Sequence, residues 1–208
     1  MLLISLAFSC IIFISGILLG MGLDRFRIND VIVELDRNEF ERESYIIEGR
    51  FLELFGENKC TYINTRLNDL SNDLVNTGKI LNEYEVRGIF SGIEYKNLKD
   101  RYSLSEIRLY ILLKEIKEEC GLNRPVVLFF YDQEDRLSKQ QGYALDSVVR
   151  KIQNITILSI DRELDAAIVR AVKIHYNVTK SPTVIINFDE KIEGYINVDE
   201  ILNIIDKK

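Results

Sequence analysis

TKSPTVIINFDEKIEGYI, residues 179–196, is the stretch whose reading decides the fold. It carries Pro182, one of only two prolines in 208 residues, directly ahead of the apolar, β-branched run TVIINF (183–188). Proline has no N–H to donate to a ladder, so in a sheet it belongs at the first residue of a strand or on an edge. A strand is therefore predicted to begin just after Pro182. DEK (189–191) supplies a turn and IEGYI (192–196) a returning strand, which makes the pair a hairpin. VDEILNII (198–205) closes as a helix, with Asp199 near its start favouring the helix dipole.

Toward the N-terminus the pattern alternates. PVVLFFY (125–131) is a short continuous apolar run, as in a strand buried on both faces. SKQQGYALDSVVRKIQ (138–153) places Ala144, Leu145, Val148, Val149 and Ile152 on one helical face. ITILSI (155–160) reads as a second buried strand and DAAIVRAVKIHY (165–176) as a second helix. The order is strand, helix, strand, helix, strand, strand, helix. A helical crossover makes the first two strands parallel, and the tight turn makes the last two antiparallel.

This order, ending in SPTVIINFDEKIEGYI, resembles the core of the thioredoxin fold. Members of that family have a cis proline followed by Thr or a β-branched residue at the start of the third core strand, then a hairpin and a Gly-bearing fourth strand. Ser181-Pro182-Thr183, the Asp189–Lys191 turn and Gly194 match, and YNVTKSPT (176–183) matches the helix end, valine, short link and x-P-T. The resemblance implies an α/β fold, a βαβαββα domain, and a cis bond before Pro182. From the residues alone, an ordinary trans proline at a strand start stays open.

The chain departs from that family at the active site. Redox members carry C-x-x-C between the first strand and its helix, where this chain has YDQEDRLSKQQG (131–142), without cysteine. Asp135 and Ser138 hold the i, i+3 spacing there. Neither can exchange a disulfide, which needs a thiolate. No dithiol chemistry is expected at this place, and Asp135 or Ser138 is read instead as a helix cap.

Ahead of this domain, residues 30–120 read as helices. The first spans about Asp30–Phe55. The second carries Ile63, Leu67, Leu70, Leu74 and Leu81, and the third, about Tyr95–Cys120, carries Leu98, Tyr102, Ile107, Ile111 and Ile116 at helical spacing. Such stripes are packing surfaces. Short connections make neighbouring helices antiparallel, which brings Cys60 and Cys120 to the same end of the bundle. A disulfide between them and two unrelated free thiols are both open readings. An oxidised pair indicates a compartment outside the cytosol.

MLLISLAFSCIIFISGILLGMGL (1–23) has no charged side chain and is about as long as a membrane span. It is read as an uncleaved single-pass anchor rather than a signal peptide, with Gly16 and Gly20 forming a G-x-x-x-G. The arginines at 25, 27 and 37 would keep the rest inside by the positive-inside tendency. An oxidised cysteine pair argues the opposite, and the extracytoplasmic side is expected. The whole layout resembles membrane-anchored archaeal proteins with a thioredoxin-like end. The expected division is an anchor at 1–23, a helical stalk at 24–121 and a thioredoxin-like domain at 122–208.

Composition narrows function. Apolar residues make up 47%, and the net charge of −6 is spread along the chain, which argues against a nucleic-acid surface. His175 is the only histidine, so no zinc-ligand spacing and no Ser-His-Asp arrangement can be built. Neither G-x-x-x-x-G-K-S/T nor G-x-G-x-x-G occurs, and no cofactor is expected. The N-x-S/T triplets at Asn154 and Asn177 abut strands and carry little weight. Two functions remain: a non-catalytic binding or scaffolding module holding a peptide near Pro182, or a thiol oxidoreductase or redox sensor working through Cys60 and Cys120.

Overall fold

In the computed structural model the described residues are 13–17, 44, 47–51, 59–89, 92–152 and 154–207. The chain forms two compact units, Met1–Glu57 and Asn58–Lys208. In the first, residues 13–17 and 47–51 are helical. The remainder of the helix expected over residues 30–55 lies largely outside the described residues.

The expected membrane anchor is corrected. A crossing helix needs about 20 mostly apolar residues, and among the described residues no helix is long and apolar enough to cross a membrane. Residues 13–17 are the only part of 1–23 described, which leaves Gly20 and the rest of that expectation outside the described residues. The placement of the chain on the outer side of a membrane rested on this anchor and falls with it.

The second unit is mixed α/β. Its elements are α1 (Lys59–Val86), α2 (Ile93–Cys120), β1 (Val126–Tyr131), α3 (Arg136–Lys151), β2 (Thr156–Asp161), α4 (Ala167–His175), β3 (Thr183–Ile186), β4 (Glu190–Glu193) and α5 (Val198–Asp206). The sheet runs β2-β1-β3-β4. β1 pairs in parallel with β2, Phe129 opposite Ser159, and antiparallel with β3, Phe129 opposite Val184. β3 and β4 are antiparallel. A helical crossover followed by a terminal hairpin gives a thioredoxin-like sheet.

β1 is inside because both its faces are covered. Successive strand side chains point to opposite faces. Leu128 and Phe130 enter a core with Ile107, Leu113 and Ile116 of α2. Val127 and Phe129 enter the other, with Leu145 and Val148 of α3 and Ile201 and Ile205 of α5. Each such side chain contributes about 1.5–3 kcal/mol on burial.

The helices α1 and α2 form an antiparallel hairpin, as four contacts at descending and ascending positions show. Cys60 meets Cys120, Asp73 accepts from the Ser105 hydroxyl, Gly78 faces Tyr102 and Tyr84 lies against Tyr95. A Cβ on Gly78 would come within 3.1 Å of the Tyr102 ring, so glycine lets the two helices close there. Cys60 and Cys120 are joined by a disulfide across a sequence separation of 60. Gly121 ends α2 in the left-handed region, φ 66°, where glycine carries no Cβ penalty.

The hairpin turn comes earlier than DEK. β3 stops at Ile186 and residues 187–189 make the turn, with Asn187 and Phe188 at φ 53° and 76°. β4 therefore spans Glu190–Glu193, not 192–196. A positive φ is uncommon for a bulky residue, but neighbouring contacts fix this turn. Asn187 exchanges bonds with Val126, its N–H donating to the Val126 carbonyl at 2.8 Å and its Oδ1 accepting the Val126 N–H at 3.1 Å. The Phe188 ring packs on Tyr110, centroids 4.8 Å apart.

Replacing Cys60 and Cys120 together with Ser releases the loop they close. The Asn58–Lys208 unit is expected to lose roughly 4 kcal/mol on chain-entropy grounds, read as a lower denaturant midpoint. An unchanged midpoint would show that the packing of α1 on α2 suffices without the bond.

Candidate functional site

The carboxyl ends of β1 and β2 and the segment before β3 meet at one end of the sheet. Three loops build the site there.

The first joins β1 to α3. Asp135 is the N-cap of α3, accepting the N–H groups of Leu137 at 3.2 Å and Ser138 at 2.8 Å. The Ser138 hydroxyl donates to the same carboxylate at 2.8 Å and accepts the Asp132 N–H at 3.2 Å. These bonds hold the Asp135 carboxyl below its ordinary range, the Ser138 hydroxyl foremost. The structure thus brings Asp135 and Ser138 together as a closed cap. Ser138 is buried and both sides of its hydroxyl are engaged. The imidazole of His175 is not beside it: that residue ends α4, exposed, with its ring against Tyr176.

The second loop follows β2 and contributes Arg162. Its N–H donates to the Tyr131 carbonyl at 2.8 Å and its Nε to the Ser181 hydroxyl at 2.8 Å. Its guanidinium pairs with Glu163 and lies 3.9 Å from the Asp132 carboxylate. The carbonyl of Arg162 accepts from the Lys173 ammonium at 2.8 Å. Arg162 had no signal in the sequence beyond following a strand at its carboxyl end.

The third segment is Lys180-Ser181-Pro182. The Ser181–Pro182 bond is cis and Pro182 is buried, its carbonyl accepting the Gly194 N–H at 2.7 Å. The Thr183 hydroxyl donates to the Lys180 carbonyl at 2.7 Å. Arg162 thus ties the loop carrying Asp132 to the segment carrying the cis proline.

Beside these loops, between α1 and the sheet, opens a cleft of about 440 Å³. Gly78, Leu81 and Glu85 of α1 form one side, Tyr102 of α2 the back, and Phe129, Tyr131 and Ser159 the sheet side. Asp132, Ser138 and Lys139 lie at the loop end. Behind the cleft stands Glu106, 1% exposed. β2 is an edge strand. The N–H groups of Thr156 and Arg162 point to Pro125 and Tyr131 of the β1 side, so Ser159, in alternate phase, turns its N–H outward. Glu106 Oε1 accepts it at 2.7 Å. Glu106 Oε2 is sealed from solvent with no hydrogen-bond partner among the described residues. Burial raises this carboxyl from 4.5 to about 8, against the bond from Ser159. Burial likewise raises the phenols of Tyr102 and Tyr131, with Glu106 adding to both. Nearby, Lys99 and Asp161 form a buried ion pair.

No protein-family model and no curated protein matches the chain. Among solved structures it is similar to a malaria parasite thioredoxin-2, described as a component of that parasite's protein secretion machinery, with 16% identity over 41% of this chain and 84% of that one and a TM-score of 0.37. Fasciola hepatica thioredoxin gives 16% identity over 47% of this chain and 92% of that one, TM-score 0.37. Mitochondrial thioredoxin 3 of Saccharomyces cerevisiae gives 19% identity over 46% and 90%, TM-score 0.36. The thioredoxin-like character of the sheet stands on its own strand order and directions. The resemblance to membrane-anchored archaeal proteins is not supported, since no curated protein matches.

Two outcomes test this geometry. Asp135→Ala removes the cap and is expected to lower stability, read as a lower midpoint in chemical denaturation. Glu106 holds its proton more tightly folded than unfolded, so its contribution is fully present below about pH 4.5 and is lost as pH rises through about 8. The loss is on the order of a few kcal/mol. Glu106→Gln is expected to flatten the stability profile across that window, and an equally steep profile in the variant would assign the slope to another group.

Proposed function

We propose that this chain is a thioredoxin-like binding module without dithiol activity at the usual place, holding an extended peptide across Asp132, Arg162 and Ser181-Pro182. The observation that carries this reading is the tie made by Arg162, which donates to Ser181 at 2.8 Å and reaches Asp132 at 3.9 Å. It links two loops next to Asp132, which lines the cleft, and the recess proposed for the peptide lies there. At the C-x-x-C position the chain offers a carboxylate and a buried hydroxyl, both consumed by helix capping. β3 is flanked by β1 and β4, so strand addition has no edge along β3. The main chain around Ser181, ahead of that strand, is where a peptide would pair. The fold alone does not supply a function.

The second reading, thiol exchange through Cys60 and Cys120, is favoured by the disulfide itself. It lies away from the recess: the helical rise puts Gly78, at the cleft, about 27 Å along α1 from Cys60. The pair is flanked by the Lys59–Glu119 ion pair at 3.1 Å, and Cys120 packs against the core. Exchange needs an accessible thiolate of low pKa, so the structural role is preferred.

Selection from a phage-displayed heptapeptide library against the full chain and its Arg162→Ala variant tests the first reading. The chain is expected to enrich a consensus whose synthetic peptide binds the variant at least tenfold more weakly, at unchanged circular dichroism. No enrichment, or equal binding by the variant, would overturn it. In an insulin-reduction assay with dithiothreitol no acceleration is expected, and an acceleration abolished by Cys60→Ser would favour the second reading.

A further inference from the structure

The cleft has a composition of its own. Its walls present three aromatic rings, Tyr102, Phe129 and Tyr131, and its rim carries the carboxylates of Glu85 and Asp132. Lys139 is the one cation among its lining residues and is exposed at the mouth. The buried Glu106 carboxyl, one turn beyond Tyr102 on α2 and bonded to Ser159 of the cleft wall, brings a third acid with an oxygen left over. Anions would face the two rim carboxylates with a third carboxyl buried behind the wall, and a purely apolar body would desolvate the two without return. A cation satisfies both sets of groups. Aromatic faces attract it, and carboxylates bind it through charge-assisted hydrogen bonds. The volume of about 440 Å³ lies within the range of small-ligand sites, and its apolar lining suits an alkyl stem behind the charged head.

We propose that this cleft binds an organic ammonium or guanidinium group on an unbranched alkyl stem. The group could be supplied by a lysine or arginine side chain or by a free aliphatic amine, and only the side-chain source rests on the peptide reading above. Glu106 interacts with Tyr102 of α2 and Tyr131 at the end of β1, and the charged groups around the cleft are Glu85 of α1, Asp132 after β1 and Lys139 of α3, with Lys99 of α2 and Asp161 of β2 nearby. Lys99 is neutralised by Asp161, and Arg162 pairs with Glu163 and approaches Asp132 at 3.9 Å. A bound cation favours the ionised form of Glu106, so binding near pH 7 expels a proton to buffer, and affinity rises with pH until Glu106 is ionised in the free protein.

Isothermal titration calorimetry of the full chain with cadaverine, agmatine, n-pentanol and the peptides Ac-Ala-Ala-Lys-Ala-Ala-NH2 and its norleucine counterpart tests this. Runs in two buffers of different ionisation enthalpy read the proton. The charged probes are expected to saturate and the neutral ones not. Proton release is expected at pH 7 and is lost in Glu106→Gln, with a tenfold or greater fall in affinity. Glu85→Gln, at the rim, is expected to weaken binding while retaining proton release, which guards against a folding defect in the first variant. Binding of the lysine peptide alone supports the site with a side chain as its source, and binding of the amines alone supports it with a free amine. No charged probe binding, equal binding of n-pentanol, or binding untouched by both substitutions would overturn the proposal. The Arg162→Ala selection judges the peptide reading separately, since a neutral peptide held at Ser181 does not use the cleft.

Discussion

Everything in the Asn58–Lys208 unit hangs on the double burial of β1. A strand with water on one face can be built by alternation, but Val126–Phe130 are buried without a break, so each face needs its own cover. On one side α2 supplies it, and α1 is held to α2. On the other, α3 and α5 share the task. The hydrogen-bonding edges of β1 are also used, by β2 and β3. Such a strand is covered only when the helices before and after it in sequence pack around it. The long sequence separation between Cys60 and Cys120 matters for the same reason: the bond spans the hairpin that supplies one of the two covers.

The edge strand β2 raises a second constraint. An edge exposes unpaired N–H groups that invite pairing with other chains. Here the outward N–H of Ser159 is taken by the Glu106 side chain at 2.7 Å, so a helix does for this edge what another strand would otherwise do. The same side chain docks the helical hairpin to the sheet by a polar contact, as the Lys99–Asp161 pair does further along α2. The cleft is then the space left where α1 diverges from the sheet beyond that contact, and Gly78 against Tyr102 sets how near the helix can come.

The sheet was legible in the residues because its signals are strong and local. An unbroken apolar run marked β1, the largely apolar ITILSI marked β2, and a proline before β-branched residues marked β3. The turn was misplaced because Phe188 looks like a strand residue. Its ring is claimed by Tyr110, a residue far away in sequence, and no local pattern encodes that claim. The two long helices followed from periodicity, and antiparallel packing put Cys60 and Cys120 at one end while leaving open whether they were bonded. Asp135 as a cap was legible from residue type and spacing. Arg162 and Glu106 were not: each is an ordinary charged residue in a charged segment, and its role comes from the loop or edge strand that the fold sets against it. The apolar N-terminal run shows the converse failure. Hydrophobicity over residues 1–23 satisfied the composition of a span, and among the described residues no helix of that length and character exists.

Glu106 is one of a few buried side chains among the described residues that keep a polar atom without a hydrogen-bond partner. The hydrogen bond to Ser159 needs only an acceptor oxygen, which a glutamine amide would provide without a charge to desolvate. What a carboxyl adds is a second oxygen able to ionise, and that oxygen has no partner among the described residues. Within the fold this is a liability, since burial pushes the group to about 8 and leaves it largely protonated at neutral pH. The buried Lys99–Asp161 pair beside it shows the opposite arrangement, an acid answered by a cation of the same chain. Sites where a local rule is broken without compensation inside the fold are expected at functional positions. For a carboxyl behind a cleft walled by aromatic rings, the missing compensation is a positive charge from outside.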